Sequence, residues 1–314
     1  MSISSVHCFV LISSVFVGAF YILYQIPLYK TKTNPPLNNK CGVILFFHIP
    51  KTGGGSVEDW LNTHTNFLDT YEHMRKEYSD EYKEWKHNES STKLETIWKS
   101  ILPVVNQFVN DVSPKKGWKA IHLHHLFPGM YYNKDIVQNW KTIVEGKGCV
   151  FHKTTILRDP LGLFVATYNY NRSPLNQIEE SMTYSRNQLI RYLLFGTCWH
   201  TEQDIKCSPL CYPAARPYLN ESYIRELNWV INEFDSIGFQ DRFEDYLEVL
   251  RKVISWKDDG TDQTKKKKIH ESKDYLHLTN HMLENFLKLN QEDYLFYYNI
   301  KNKLAPIYQL DMIL

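Results

Sequence analysis

Two segments of the chain bring glycines, hydroxyl groups and basic side chains together in patterns suited to phosphate binding. The first is Phe46–Leu61 (FFHIPKTGGGSVEDWL), in which an apolar run passes through three consecutive glycines into a helical pattern. Such a turn aims backbone N–H groups and the positive end of a helix dipole at one point. The glycines let the backbone approach an anion closely, and Lys51 adds a mobile cation. The predicted phosphate-binding residues are Lys51, Thr52, Gly53, Gly54, Gly55 and Ser56.

This loop differs from the phosphate loop of nucleoside triphosphatases. In that pattern, G-x-x-x-x-G-K-[ST], the lysine follows the glycines, whereas Lys51 precedes them. The alternative interpretation is an ordinary glycine-rich turn between a strand and a helix, with an exposed lysine.

The second segment is Thr154–Ser173 (TTILRDPLGLFVATYNYNRS), where an apolar run ends in an Arg-Asp-Pro triplet. Proline is accepted in the first turn of a helix, and Asp159 can cap that helix. Arg158 then emerges at the carboxyl end of a strand, where open α/β sheets bind ligands, and its fork of donors suits a phosphate monoester. Arg-Asp-Pro also occurs at ordinary helix starts, so it gains meaning only beside the first loop.

A histidine cluster lies between these segments, in Ala120–Gly129 (AIHLHHLFPG). On a strand, His122 and His124 share one face and His125 lies on the other. Histidine is the side chain best matched to removing a proton from a hydroxyl near neutral pH, so the cluster predicts a general base. The alternatives are a metal site and a packed strand end. Because the sequence shows no further ligand nearby, no metal is expected.

Alternating apolar runs and helical periods predict an α/β fold with a mainly parallel sheet. The predicted strands are Val43–His48, Ala120–His124, Cys149–Leu157 and the short Ser236–Phe239. The predicted helical regions are Ser56–Leu61, 71–100, Leu161–Tyr170, 218–254 around the short strand, and Asp274–Leu304. Each phosphate-binding segment therefore lies where a strand passes into a helix.

Composition narrows the partners and the compartment. Of 314 residues, 36 are basic and 35 acidic, so the net charge is +1. That balance does not favour nucleic acid as a partner, and an anionic ligand must be held by a local cluster. Cysteines at 198, 207 and 211 crowd one proline-containing stretch. They predict one local disulfide, with a zinc site as the alternative.

The N-terminal segment predicts a membrane anchor. Residues 1–29 contain no Lys, Arg, Asp or Glu, and their apolar run is long enough to cross a bilayer. A cleaved signal peptide is the alternative, although no small-residue cleavage site follows the run. Residues 30–40 predict an extended stem, and residues 41–314 the folded domain. A secretory lumen is also favoured by three Asn-x-Ser sequons, at Asn88, Asn171 and Asn220.

These motifs resemble the Golgi carbohydrate sulfotransferases, in particular the heparan sulfate 2-O- and 6-O-sulfotransferases and the galactose 3-O-sulfotransferases. His48–Ser56 (HIPKTGGGS) is similar to their 5′-phosphosulfate loop, and Arg158 matches the arginine that binds the 3′-phosphate. The resemblance implies a three-layer α/β/α fold and 3′-phosphoadenosine 5′-phosphosulfate (PAPS) as sulfate donor. It implies that Lys51 contacts the 5′-phosphosulfate and stabilises charge on the leaving phosphate. It also implies a single-pass type II protein of the Golgi membrane with a lumenal catalytic domain.

The resemblance assigns the general base as well. The family's catalytic histidine typically precedes an aromatic residue by three positions. His124 stands at that distance from Phe127, so it is the expected base, with His125 as the second choice. In the family a basic and hydroxyl-bearing segment before the last helix contacts the nucleotide, and Ser272 and Lys273 match it here.

One position departs from the family pattern. A serine eight residues after the arginine usually joins it at the 3′-phosphate, whereas this chain has Ala166 there, with Thr167 beside it. Either Thr167 substitutes for the serine, or the 3′-phosphate is held less well, or the cofactor differs.

The expected activity is in-line transfer of a sulfuryl group from PAPS to a hydroxyl of a glycan, on a glycoprotein, proteoglycan or glycolipid. A tyrosine acceptor would use the same chemistry. Two other functions stay open. One is a kinase or nucleotide hydrolase with a variant phosphate loop, which needs a magnesium-binding carboxylate at a strand end. The other is a catalytically inactive nucleotide- or glycan-binding protein with the same fold.

Overall fold

The protein folds around one parallel sheet. The computed structural model describes residues 41–77, 91–124, 129–130, 133–171, 178–196, 221–255 and 278–308. The strands are β1 (Gly42–His48), β2 (Asn66–Asp69), β3 (Trp118–His124), β4 (Val150–Leu157) and β5 (Ser236–Phe239). They lie in the order β2-β3-β1-β4-β5, and every neighbouring pair is parallel. All five strands therefore end at the same edge of the sheet.

Helices connect the strands. In the described part of the chain they are α1 (Gly54–His64), α2 (Thr70–Glu77), α3 (Ser91–Asn110), α4 (Lys134–Gly146), α5 (Pro160–Asn171), α6 (Ile178–Tyr184), α7 (Gln188–Phe195), α8 (Glu221–Glu233), α9 (Phe243–Val253), α10 (Asn280–Leu289) and α11 (Gln291–Tyr308). A short 3₁₀ turn, Gln240–Arg242, joins β5 to α9. The predicted α/β class with a parallel sheet is confirmed.

The two faces of the sheet have separate cores. Alternate residues of β1 point to opposite sides, so Val43, Leu45 and Phe47 pack with the larger core, whereas Ile44 and Phe46 pack with the smaller one. The larger core includes buried residues of α3, α4, α7, α8 and α11, and the smaller core includes those of α1 and α9. Helices on both faces are consistent with the three-layer α/β/α arrangement that the sequence predicts.

The predicted strands are confirmed to within two residues at their ends, and one strand was missed. Strand β2 (NFLD) has only four residues and carries polar ends, so it shows no apolar run. It is a strand because it pairs with β3, with Phe67 opposite Ala120. Tertiary pairing, rather than local sequence, produces this edge strand.

The predicted C-terminal helical region is divided. It consists of α10 and α11, and Asn290 lies between them. The buried Asn290 amide donates to the Phe286 carbonyl, while its Oδ1 accepts the backbone N–H of Asn187. A side chain that competes with the backbone in this way ends a helix.

A disulfide ties two strands together at their amino ends. Cys41 and Cys149 precede β1 and β4, and they are bridged across 108 positions of sequence. The cysteines at 198, 207 and 211, with their predicted local disulfide, lie outside the described residues, as do the predicted anchor and stem. Within the described ranges no helix is both long enough and apolar enough to cross a bilayer.

Replacing both Cys41 and Cys149 by alanine is expected to lower the free energy of unfolding by about 4–5 kcal/mol. The bridge restricts the unfolded chain because it closes a loop of about 100 residues. Denaturant unfolding of the full chain measures the change. Cys41→Ala alone should lose as much stability, since either substitution opens the bridge. Unchanged stability in both variants would contradict the pairing.

Candidate functional site

The carboxyl edge of the sheet carries the residues that the sequence singled out. His48 ends β1 and lies opposite His124, which ends β3. Arg158 follows the last residue of β4, and the Lys51 loop follows β1. Parallel pairing therefore brings the loop, the histidines and the arginine to one region, where open α/β sheets bind ligands.

The loop after β1 turns sharply into α1. Lys51 has φ 65° and Gly53 has φ 100°, both in the left-handed region. Thr52 is completely buried and its hydroxyl donates to the Ile49 carbonyl at 2.7 Å. Helix α1 then begins at Gly54, directly after Gly53, which has no side chain to cap it. The N–H groups of the first turn are thus presented to a ligand at the positive end of the helix dipole.

Arg158 joins the two predicted phosphate-binding segments. One of its guanidinium nitrogens donates to the Lys51 carbonyl at 2.9 Å, although the two residues are 107 positions apart. Asp159 caps α5 as predicted, because its Oδ1 accepts the N–H of Gly162 at 3.0 Å. A Cβ at Gly162 would lie 3.1 Å from Arg158 Nε, so glycine leaves room for the guanidinium.

Lys51 lies over an aromatic ring. Its ammonium nitrogen is 3.0 Å from the centroid of Tyr170, whose side chain is 56% exposed. Such a cation–π contact holds the ammonium near the surface of the protein. Burial lowers the pKa of Lys51 to about 8, because the charged form loses hydration. The lysine therefore stands ready to exchange its partial desolvation for a bound anion.

His48 packs against the start of α1. A Cβ at Gly54 would lie 2.0 Å from His48 Cδ2 and Nε2, so only glycine permits this contact. On its other side the ring stacks on His124 at a centroid distance of 4.2 Å. The candidate base is thus connected through His48 to the phosphate-binding loop.

The histidines form a group of three rings. His122 and His124 lie on the same face of β3, as predicted, and His48 Nδ1 is 2.8 Å from His122 Nε2. His122 is completely buried, whereas His124 is half-buried and also contacts Tyr71. Of these three rings His124 is the most accessible to an acceptor hydroxyl. His125, the second choice for the base, lies outside the described residues.

Two carboxylates lie beside this group. Asp69 Oδ1, at the end of β2, is 3.2 Å from His122 Nδ1, and Glu58 Oε2, on α1, is 3.8 Å from the same nitrogen. These are the acidic groups that the sequence analysis could not associate with the histidines. A set of His48, His122 and His124, and a set of Glu58, Asp69 and His122, each has its donor atoms within 4.8 Å of one another.

The remaining predicted cofactor residues are not brought to the loop by any contact within the described residues. The Thr167 hydroxyl donates to the Leu163 carbonyl at 2.9 Å and accepts from Gln188 Nε2 at 3.2 Å. It is thereby engaged with α7 rather than with Arg158. Ser272 and Lys273 lie outside the described residues.

Several residues of the site were missed by the sequence analysis. His48 stands next to the loop motif and shares its strand face with Phe46, so strand alternation could have suggested it. Glu58, Asp69 and Tyr170 carry no local signal, because only the pairing of β2 with β3 and the packing of α5 place them here.

A scan against protein-family models and a search of curated proteins both find no match to this chain. Its function is therefore inferred from the chemistry and geometry of the site.

Gly54→Ala is expected to lower the free energy of unfolding by about 1–3 kcal/mol, because the added methyl group overlaps the buried His48 ring. Denaturant unfolding measures the change. Gly146→Ala is the matched control, since a Cβ at Gly146 meets nothing within 4 Å. That variant should be unchanged or up to about 1 kcal/mol more stable. Equal stability of the two variants would show that His48 does not pack on Gly54.

Proposed function

We propose that this protein is a PAPS-dependent sulfotransferase that acts on a hydroxyl of a glycan. The observation that carries the proposal is the hydrogen bond by which Arg158 holds the Lys51 loop. It unites a cradle of helix N–H groups with two cations, Lys51 and Arg158, in one site. A nucleotide that carries phosphates on both sides of a single ribose suits such a pair of cations.

The arrangement supports in-line transfer. In the reaction the acceptor oxygen bonds to sulfur as the bond from sulfur to the 5′-phosphate oxygen breaks, which leaves adenosine 3′,5′-bisphosphate. His124 takes the proton of the acceptor hydroxyl, for which its half-buried position at the end of β3 is suitable. Lys51 and the first turn of α1 stabilise the negative charge that develops on the leaving phosphate. Arg158 holds the 3′-phosphate.

The cellular setting belongs to the same proposal. A disulfide between Cys41 and Cys149 supports an oxidising compartment such as the secretory lumen. The N-terminal apolar run and the three sequons also support a type II protein of the Golgi membrane with its catalytic domain in the lumen. The acceptor would then be a glycan that passes through that compartment.

A nucleotide-dependent kinase or hydrolase is the second candidate, and one observation favours it. Asp69 stands at the carboxyl end of β2, where such an enzyme could bind magnesium. Against it, the lysine precedes the glycines of the loop, and the buried Thr52 hydroxyl is directed to a backbone carbonyl rather than to a ligand. The inactive binding protein is the third, and Ala166 in place of the family's serine is its support.

Nucleotide binding distinguishes these functions. The full chain should bind adenosine 3′,5′-bisphosphate about 10–100-fold more tightly than adenosine 5′-monophosphate, because the 3′-phosphate gains a charged hydrogen bond to Arg158. Arg158→Ala should abolish that difference, whereas Lys51→Ala should weaken both nucleotides alike. Isothermal titration calorimetry measures the four dissociation constants. Lys116→Ala is the control, since Lys116 precedes β3 and lies at the opposite edge of the sheet.

Comparison of the two nucleotides separates two roles of Arg158. If the arginine only positions the Lys51 loop, Arg158→Ala weakens both nucleotides and the preference for the 3′-phosphate survives. A wild-type chain without that preference would overturn the sulfotransferase proposal. Tighter binding of ATP in the presence of Mg²⁺ would favour the kinase or hydrolase instead.

The affinity for adenosine 3′,5′-bisphosphate should also depend on pH. Since the pKa of Lys51 in the free protein is lowered to about 8, the lysine is charged below that pH and neutral above it. Binding above pH 8 must then take up a proton, so the dissociation constant should rise between pH 7 and pH 9.5, by up to about tenfold per pH unit. Lys51→Arg keeps its charge throughout and should show a flat profile. Equal slopes for the two proteins would exclude Lys51 as the titrating group.

A further inference from the structure

A buried nitrogen of His122 has no hydrogen-bond partner. The side chain is 0% exposed and its Nε2 is bonded to His48, but Nδ1 is unsatisfied. Asp69 Oδ1 lies 3.2 Å from Nδ1 without the alignment of a hydrogen bond, and that oxygen already accepts the N–H of Tyr71 at 2.9 Å. A buried polar atom without a partner is costly, so it points to a ligand.

Two carboxylates face this nitrogen from different elements. Glu58 on α1 and Asp69 on β2 bring oxygens to within 3.8 Å and 3.2 Å of His122 Nδ1, and all three donor atoms lie within 4.8 Å of one another. Ligand atoms bonded at about 2.1 Å to one metal ion stand about 3–3.5 Å apart. Small rotations of the side chains are therefore enough to close the three atoms around an ion.

The surroundings hold an excess of negative charge. Burial raises the pKa of Glu58, His122 opposes the rise, and the neighbouring carboxylates of Asp69, Asp59 and Glu72 add to it. The nearest described cation of α2, Arg75, is paired with Glu72 at 2.9 Å. A cation between Glu58 and Asp69 would relieve this repulsion.

We propose that Glu58, Asp69 and His122 bind one divalent transition-metal ion. One imidazole and two carboxylates suit zinc or manganese, and three protein ligands leave coordination positions for water. The His122 ring is held for this role from two sides, by His48 and by the Thr70 hydroxyl, which donates to the His122 carbonyl at 2.7 Å. The side chain of Glu58 is 34% exposed, which gives the ion a way in. The site is independent of the sulfotransferase proposal.

Metal titration of the full chain tests the site. The chain, solubilised in detergent and freed of metal with a chelator, is titrated calorimetrically with Zn²⁺ and, in parallel, with Mn²⁺, which thiolates bind poorly. One Mn²⁺ per chain is expected. Glu58→Gln and Asp69→Asn should each weaken it about 100-fold. Bound Zn²⁺ should raise the melting temperature of the wild type and not that of Glu58→Gln.

Two control variants make the result specific. Glu72→Gln removes a neighbouring negative charge that is no ligand, and His124→Asn removes the third member of the histidine group; both should keep Mn²⁺ binding within about threefold. The proposal is overturned if the wild type binds no Mn²⁺ at about 100 µM. It is also overturned if Glu72→Gln loses as much affinity as Glu58→Gln, or if His124→Asn alone abolishes binding. The readout needs no nucleotide, so its failure is separate from that of the proposed function.

Discussion

The pairing register of β1 is the constraint on which the site depends. β1 lies between β3 and β4, with His48 opposite His124 and Phe47 opposite Thr155. The register is fixed near both ends, by the Cys41–Cys149 disulfide and by the Thr155 hydroxyl, which donates to the Phe47 carbonyl at 2.8 Å. A slip of one residue would turn His48 to the other face of the sheet and separate it from His122 and His124. The same slip would move the start of the phosphate-binding loop.

The bond from Arg158 to the Lys51 carbonyl makes two distant segments act as one unit. Lys51 is not a glycine, so its φ of 65° costs conformational energy that other contacts must offset. The bond to Arg158 and the buried Thr52 hydroxyl, which donates to Ile49, are two such contacts. A loop held in this way needs little reordering when an anion binds, which favours affinity. The arginine thus has a structural task in addition to any contact with a ligand.

The sequence was informative where chemistry and local structure coincide. The parallel strands, the loop from Lys51 to Ser56 and the cap of α5 by Asp159 were all predicted, because apolar runs, glycines and an Arg-Asp-Pro triplet are local signals. Strand β2 and the carboxylates Glu58 and Asp69 beside His122 were not, because they depend on which strands are neighbours in the sheet. Thr167 illustrates the same limit. Its position in sequence suggested Arg158 as partner, but the packing of α5 on α7 directs its hydroxyl to Gln188.

His48 connects the acidic pocket to the phosphate-binding loop, and proton positions make that connection consequential. If a cation occupies His122 Nδ1, the proton of His122 must reside on Nε2, which then donates to His48 Nδ1. His48 must in turn carry its proton on Nε2, the atom that packs against Gly54 at the start of α1. Protonation of His122 Nδ1 in place of the cation allows the opposite arrangement, in which His48 Nε2 has a lone pair. Charge in the pocket of Glu58 and Asp69 therefore sets whether the loop faces a hydrogen-bond donor or an acceptor.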